Sequence, residues 1–150
     1  SDADARVMRR ALRAIERAHA ARDSVALHLE GRRKRRHVVE TRKGEAILID
    51  LEAAPALRHG HGLVLEDGTV IRVEALAEPV LDITAPDLVR IAWHLGNRHL
   101  PTEIRPGVLR IRADHVIAGM LAGLGAEIHA REAVFEPEGG AYGHHHHSHD

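Results

Sequence analysis

Apolar residues near the start of the chain recur at three- and four-residue steps: Val7, Ala11, Leu12, Ile15 and Ala18, with Arg9, Arg13 and Arg17 elsewhere on the surface. That period predicts an amphipathic helix over residues 4–20, within a helical extension spanning 1–22. Asp23-Ser24 breaks the pattern, and the period then falls to two. Val25, Leu27 and Leu29 alternate with Ser24, Ala26, His28 and Glu30, and Gly31 predicts a turn. Val38-Val39 and Ala46-Ile47-Leu48-Ile49 predict two strands joined through a turn at Lys43-Gly44. Leu63-Val64-Leu65 runs into Asp67-Gly68, a strong hairpin signal, and Val70 to Glu74 returns. Short strands with closely spaced turns predict a small β domain over 23–77.

After Glu78-Pro79 the pattern changes again. Val80 to Ile83 predicts a strand. Pro86 fits the first turn of a helix whose apolar stripe is Leu88, Ile91, Ala92 and Leu95, with Gly96 as its terminator. Leu100 to Ile104 predicts a strand, Pro106-Gly107 a type II turn, and Val108, Leu109 and Ile111 the next strand. Asp114 is a good N-cap for a helix from His115 to Leu124, with Val116, Ile117, Met120, Leu121 and Leu124 apolar and Gly125 closing it. Glu127 to Phe135 predicts the last strand. The order β-α-β-β-α-β is that of a ferredoxin-like unit, here over 78–138. Gly139-Gly140 opens a tail, 139–150, too polar and short to pack and expected to be disordered. The predicted class is α+β: a small β domain, a ferredoxin-like domain and a His-rich tail.

Composition narrows the chemistry. Aromatics are 2 % of the chain, so there is no stacking platform for bases, and a net charge of −1 gives no bulk attraction to a polyanion. Cysteine is absent, which excludes disulfides, thiolate metal sites and a cysteine nucleophile. No apolar run is long enough for a membrane span and no signal peptide is evident, so the expected location is cytoplasmic. There is no phosphate loop, no H-E-x-x-H and no Ser/His/Asp set, so a non-enzyme is expected, with no catalytic residues. Histidine is the anomaly, at 14 of 150 residues, and His144, His145, His146, His147 and His149 all fall in the last seven positions. A purification tag is usually six uninterrupted histidines after a linker; this run is four, then Ser148-His149-Asp150. Such a density of imidazoles suits borderline transition metals.

Three blocks carry a family resemblance: His94-Leu95-Gly96-Asn97-Arg98-His99 followed by Leu100-Pro101; Asp114-His115-Val116 with Met120-Leu121 and Gly125; and Phe135-Glu136-Pro137-Glu138 before Gly140-Ala141-Tyr142 and the His-rich end. In order and spacing, over roughly residues 24–150, they resemble the UreE family of urease accessory proteins. The resemblance implies a homodimer with an N-terminal domain of a peptide-binding type and a ferredoxin-like C-terminal domain. It also implies nickel binding and transfer to a urease-maturation GTPase and the urease apoenzyme. The family's central ligand falls on His99, presented near the dimer axis by both subunits, and a secondary ligand of some members falls on His115. Other members carry a histidine at the position of Ala113, so that kind of second site is not implied here.

The chemistry is coherent. Imidazoles suit nickel(II), and two from an isologous interface make a seat that neither chain has alone. Tail imidazoles add to it if the tether reaches, and Phe135 to His144 spans up to about 30 Å when extended. Neutral rings are required, so imidazole ligation weakens as pH falls through about 6.5. Intrinsic affinities predict zinc and copper(II) binding in vitro as well. His129, His59 and His61 are candidates for weaker metal contacts. His94 reads as structural, and His19, His28 and His37 as ordinary surface residues. The run Arg32-Arg33-Lys34-Arg35-Arg36 reads as a solvated loop or a dock for an acidic partner; without nearby aromatics it argues weakly for nucleic acid. Passive storage of nickel, zinc or copper by the tail, and a nucleic-acid or acidic-partner module using 32–36, are the alternatives to nickel delivery.

Overall fold

The computed structural model describes residues 8–139, so the histidines at 144–149 and the beginning of the expected N-terminal helix lie outside the described residues. The chain divides into two compact units, Ser1–Leu76 and Ala77–Asp150. The first holds β1 (Arg10–Ile15), β2 (Asp23–Leu27), α1 (Leu29–Arg33), β3 (Arg36–Glu40), β4 (Ala46–Asp50), β5 (Gly62–Leu65) and β6 (Val70–Ala75). Its strands form a six-stranded sheet in the order β2-β6-β5-β1-β4-β3. The alternation read in the sequence places Val25, Ile47, Ile49, Leu63, Leu65, Ile71 and Val73 in its core. Gly44 and Gly68 turn the chain at φ 92 and 88, where an L side chain would be strained. Gly62 serves closeness instead: a methyl there would lie 2.9 Å from Ile15 and 3.1 Å from the Ala18 backbone.

Two expectations for this unit are overturned. Residues 10–15 are a strand, not part of a helix. β1 fills the slot between β4, to which it is parallel, and β5, to which it is antiparallel. Of the apolar residues that suggested a helix, Ala11 is fully buried while Leu12 is 43 % exposed. Arg9 and Arg10, which a helix would send to solvent, pair with Glu45, Asp67 and Glu66. Steps of three and four in a short stretch do not exclude a strand, and the backbone bonds on both sides decide the matter. At Gly31, in place of a turn, α1 forms and buries Leu29 and Arg32.

The second unit holds β7 (Ala77–Thr84), α2 (Leu88–Asn97), β8 (Glu103–Arg105), β9 (Val108–Arg112), α3 (His115–Gly123) and β10 (Glu127–Val134). The sheet order is β10-β7-β9-β8, with every neighbouring pair antiparallel. Both helices lie on one face. Ile91 and Leu95 of α2 and Ile117 and Leu121 of α3 pack with Leu81, Ile83, Leu109 and Ile111. Each such side chain contributes about 2 kcal/mol by leaving water.

Local signals here need three corrections. Pro86 precedes the N-cap, Asp87, and so stands outside the helix. α2 runs through Gly96, which is exposed and not in the left-handed region, and the strand expected over 100–104 is confined to Glu103–Arg105. A glycine ends a helix by adopting positive φ, and here another residue does so.

The pairings place several features together. Ala77 lies opposite Val134, Val80 opposite Arg112 and Glu103 opposite Arg110. The starts of β7 and β8 and the ends of β9 and β10 therefore share one end of the sheet. α2 returns to that end before β8, and α3 leaves from it after β9.

Candidate metal centre

His99 stands where α2 stops. Arg98 is the C-cap, and His99 follows it at φ 57. The Leu100 N–H donates to Leu95 O at 3.1 Å and the His99 N–H to Gly96 O at 2.9 Å. Those two bonds make a complete Schellman stop, whose left-handed residue is usually glycine. A histidine there is held in a conformation that costs about 1 kcal/mol or more. Its side chain is exposed, and the helix's carbonyl end favours a cation nearby.

His115 is the first residue of α3, at the same end of the sheet, and is also exposed. Asp114 accepts from Val116 N at 2.9 Å and Ile117 N at 3.1 Å, so the cap orients the turn that carries His115. Among the described residues, no group of three or more His, Cys, Asp or Glu converges as a metal site. The described part of a single chain thus offers imidazoles at this end without a complete seat.

A third feature reaches the same end. After β10 the chain crosses from one sheet edge to the other. Glu136 N donates to Glu103 Oε1 at 2.9 Å, Glu138 N to Thr102 O at 2.8 Å, and Ile104 N to Glu138 Oε1 at 3.4 Å. Glu103 is 9 % exposed and Phe135 fully buried. Beneath this strap, Arg110 grips Asp82 through Nε at 2.7 Å and Nη2 at 3.1 Å and donates to Val134 O. The hydrogen-bonded guanidinium holds the Asp82 carboxyl below the usual carboxylate range, and Arg131 adds to this from β10. Glu103 and Thr102 carry no local pattern that marks them as anchors, so sequence reading misses them; the Phe135–Glu138 block was visible, but its destination was not.

The other histidines are set differently. His129 lies in mid-strand opposite Asp82, 3.9 Å from Glu127, away from the end that carries His99. His59 Nδ1 accepts from Ala75 N and His61 Nδ1 from Arg58 N, each at 3.2 Å. A ring whose Nδ1 lone pair is so used carries its proton on Nε2, so the weak metal contact expected of this pair finds no support in their geometry. His94 makes an edge contact with Trp93, their centroids 5.1 Å apart, as a structural residue would. His19 and His28 are exposed. His37 is not an ordinary surface residue: both ring nitrogens are buried without a hydrogen-bond partner. Burial foremost, then the charge of Lys34, lowers its pKa.

The basic run is likewise not one solvated loop. Arg32 is 1 % exposed and donates to Leu57 O. Arg35 and Arg36 both reach Asp50, and Lys34 lies 4.0 Å from Glu30. α1 carries Arg32 into the core, while Lys34, Arg35 and Arg36, beyond the helix end, face carboxylates. That leaves no five-residue patch for a polyanion.

Comparison with known proteins gives a consistent picture. The model for the UreE urease accessory protein N-terminal domain matches residues 7–76, and that for the UreE C-terminal domain matches residues 78–150. The first match starts before β1, so that strand belongs to the domain and is not an extension. The urease accessory protein UreE of Bradyrhizobium sp. (strain ORS 278) is 56 % identical over 133 residues, covering 87 % of this chain and 63 % of that protein. The protein of the same name from Rhodopseudomonas palustris (strain BisB18) is 55 % identical over 126 residues, covering 82 % and 60 %. That of Rhodobacter capsulatus is 48 % identical over 123 residues, covering 82 % and 78 %. The chain spans about three-fifths of the length of the Bradyrhizobium and Rhodopseudomonas relatives.

Proposed function

The chain belongs to the UreE family of urease accessory proteins, and from that premise we propose that it is a nickel(II) metallochaperone that carries the ion for urease active-site assembly and performs no catalysis. The cargo sits between two subunits, with His99 of each as the central ligand. The observation that carries this reading is the strained, exposed His99 at the end of α2. Strain of this kind persists where function needs it, and no other described imidazole is presented so. His115, at the same end, is a secondary ligand, and the tail histidines His144, His145, His146, His147 and His149 supply further nitrogens.

One chain's described residues make no metal seat, which supports a site completed by a second copy. Val89 and Trp93, 83 % and 63 % exposed on α2, and Val116, 64 % exposed beside His115, give this unit apolar surface for such a contact. The strand order and helix placement support the ferredoxin-like reading of the second unit. The first unit is a protein-binding module of a peptide-binding type, and the receiving partners are the urease-maturation GTPase and the urease apoenzyme. Zinc and copper(II) bind the same imidazoles in vitro. Among the described residues, no helix is long and apolar enough to cross a membrane.

Nickel titration with mass measurement in solution tests the proposal. About one tight nickel per two chains is expected, retained when the tail histidines become glutamine and lost in His99→Ala. If His99→Ala binds as the parent does while the glutamine tail abolishes binding, storage by the tail replaces delivery. Activation of a urease apoenzyme by the loaded protein tests transfer itself.

A further inference from the structure

We propose, on the basis of the nickel reading above, that the strap over residues 135–138 fixes the backbone that presents His99, with Glu138 and Glu103 as positioning residues for that imidazole. The segment carrying His99 is short. α2 ends at Asn97 and β8 begins at Glu103, so residues 98–102 bridge them. The helix holds this bridge from one side, through His99 N to Gly96 O and Leu100 N to Leu95 O. The strap holds it from the other. Thr102 O accepts the Glu138 N–H at 2.8 Å, and Thr102 Oγ1 donates to Leu100 O at 3.0 Å. A chain of bonds therefore runs from Glu138 through Thr102 to Leu100, the residue after His99. A left-handed residue other than glycine persists only where its surroundings over-determine it, and φ 57 at His99 is fixed from both sides.

The strap also secures the strand that the bridge enters. Among the described residues β8 pairs with β9 alone, and an edge strand of three residues has little else to hold it. The strap covers that edge. Ile104 N donates to the Glu138 carboxylate at 3.4 Å, and Glu103 Oε1 accepts from Glu136 N at 2.9 Å while Arg105 occupies Oε2 at 2.7 Å. Phe135 and Pro137 are buried, so the strap is seated by its own alternate side chains. Arg110, tied to Asp82, braces its entry through Val134 O at 3.2 Å. With the strap released, the helix stop alone holds the bridge. The left-handed conformation is then disfavoured about fivefold or more in each subunit, and the population ready to bind falls by the same factor. An ion seated on two such rings is held about twenty-fivefold more weakly.

The test uses the full chain with its five terminal histidines changed to glutamine, so that only imidazoles of the folded units are compared. Glu138→Pro removes the N–H that Thr102 accepts and the carboxylate that Ile104 meets, while Glu138→Gln keeps a donor and an acceptor at both points. Without metal, amide exchange at His99 and Leu100 should quicken about fivefold or more in Glu138→Pro and hold in Glu138→Gln. Gly125 and Ala126, which close α3 through the same pair of bonds, should exchange as in the parent. Nickel affinity should fall about twenty-fivefold in Glu138→Pro and hold in Glu138→Gln. Unchanged exchange at His99 and Leu100 overturns the proposal. So does equal quickening at Gly125 and Ala126, which marks general loosening. So does quickened exchange with unchanged affinity, or an equal loss of affinity in Glu138→Gln, which marks the charge rather than the bonds. Failure of the nickel reading appears separately, as a first equivalent that ignores His99→Ala.

Discussion

α2 and α3 end in the same way with different residues. Each closes on a Schellman stop: Leu100 N to Leu95 O and His99 N to Gly96 O in one, Ala126 N to Leu121 O and Gly125 N to Ala122 O in the other. The left-handed position is Gly125 at φ 85 in α3 and His99 at φ 57 in α2. A Cβ at Gly125 would meet nothing within 4 Å, so space does not demand glycine there; the backbone conformation does. The domain therefore uses the unstrained residue at one helix end and an imidazole at the equivalent point of the other. A histidine at a position suited to glycine is the contrast on which the proposed ligand role of His99 can be tested.

Exchanging the two ends is the most direct way to break the comparison. The largest effect expected is on metal. His99→Gly keeps the helix stop and removes the proposed ligand, so nickel affinity should fall about a hundredfold or more, close to 3 kcal/mol, in a calorimetric titration. The same variant should unfold about 0.5–1 kcal/mol later in urea, because the left-handed strain is gone. Loss of stability together with loss of nickel would mean that His99 is held for packing. Gly125→Ala should do the reverse at α3, costing about 1 kcal/mol with nickel affinity unchanged.

The helix starts extend the comparison. Asp114 accepts from two backbone N–H groups, at 2.9 and 3.1 Å, and Asp87 from one, at 3.2 Å. Asp114→Ala should cost about 1 kcal/mol and Asp87→Ala about half that by denaturant titration. Equal losses would show that the caps do not grade as their hydrogen bonds do.

The smallest effect contrasts His99 with a half-buried histidine of the first unit. The fold favours the neutral ring of His37, whose pKa is lowered by burial and by Lys34. Above about pH 6.5 the ring is neutral in both folded and unfolded chains. Below that value the unfolded chain takes up a proton that the native one resists, so stability declines as pH falls, until the native ring is protonated too. His37→Leu should flatten the decline in the thermal midpoint of the first unit between pH 7 and 5.5. An unchanged slope would assign acid sensitivity to other groups.

Legibility followed the range of the interactions. The turns at Gly44, Gly68 and Gly107, the cap at Asp114 and the stop at Gly125 were readable because each is completed within a few residues. The second unit's strands and helices followed from the same kind of signal, and the candidate ligands His99 and His115 from motifs around them. β1 was misread because its identity rests on β4 and β5, roughly forty and fifty residues away in the chain. The basic run looked like one surface until α1 sent Arg32 inward.

The sequence by itself determined the cap at Asp114 and the stop at Gly125, which residues alternate into a core, and that no thiolate takes part in the chemistry. Tertiary structure decided which features meet. His99, His115 and Glu138 lie at one end of the second unit because strand pairing folds distant segments back to a shared edge. Backbone hydrogen bonds between remote residues have no local signature, so no window along the chain contains that fact.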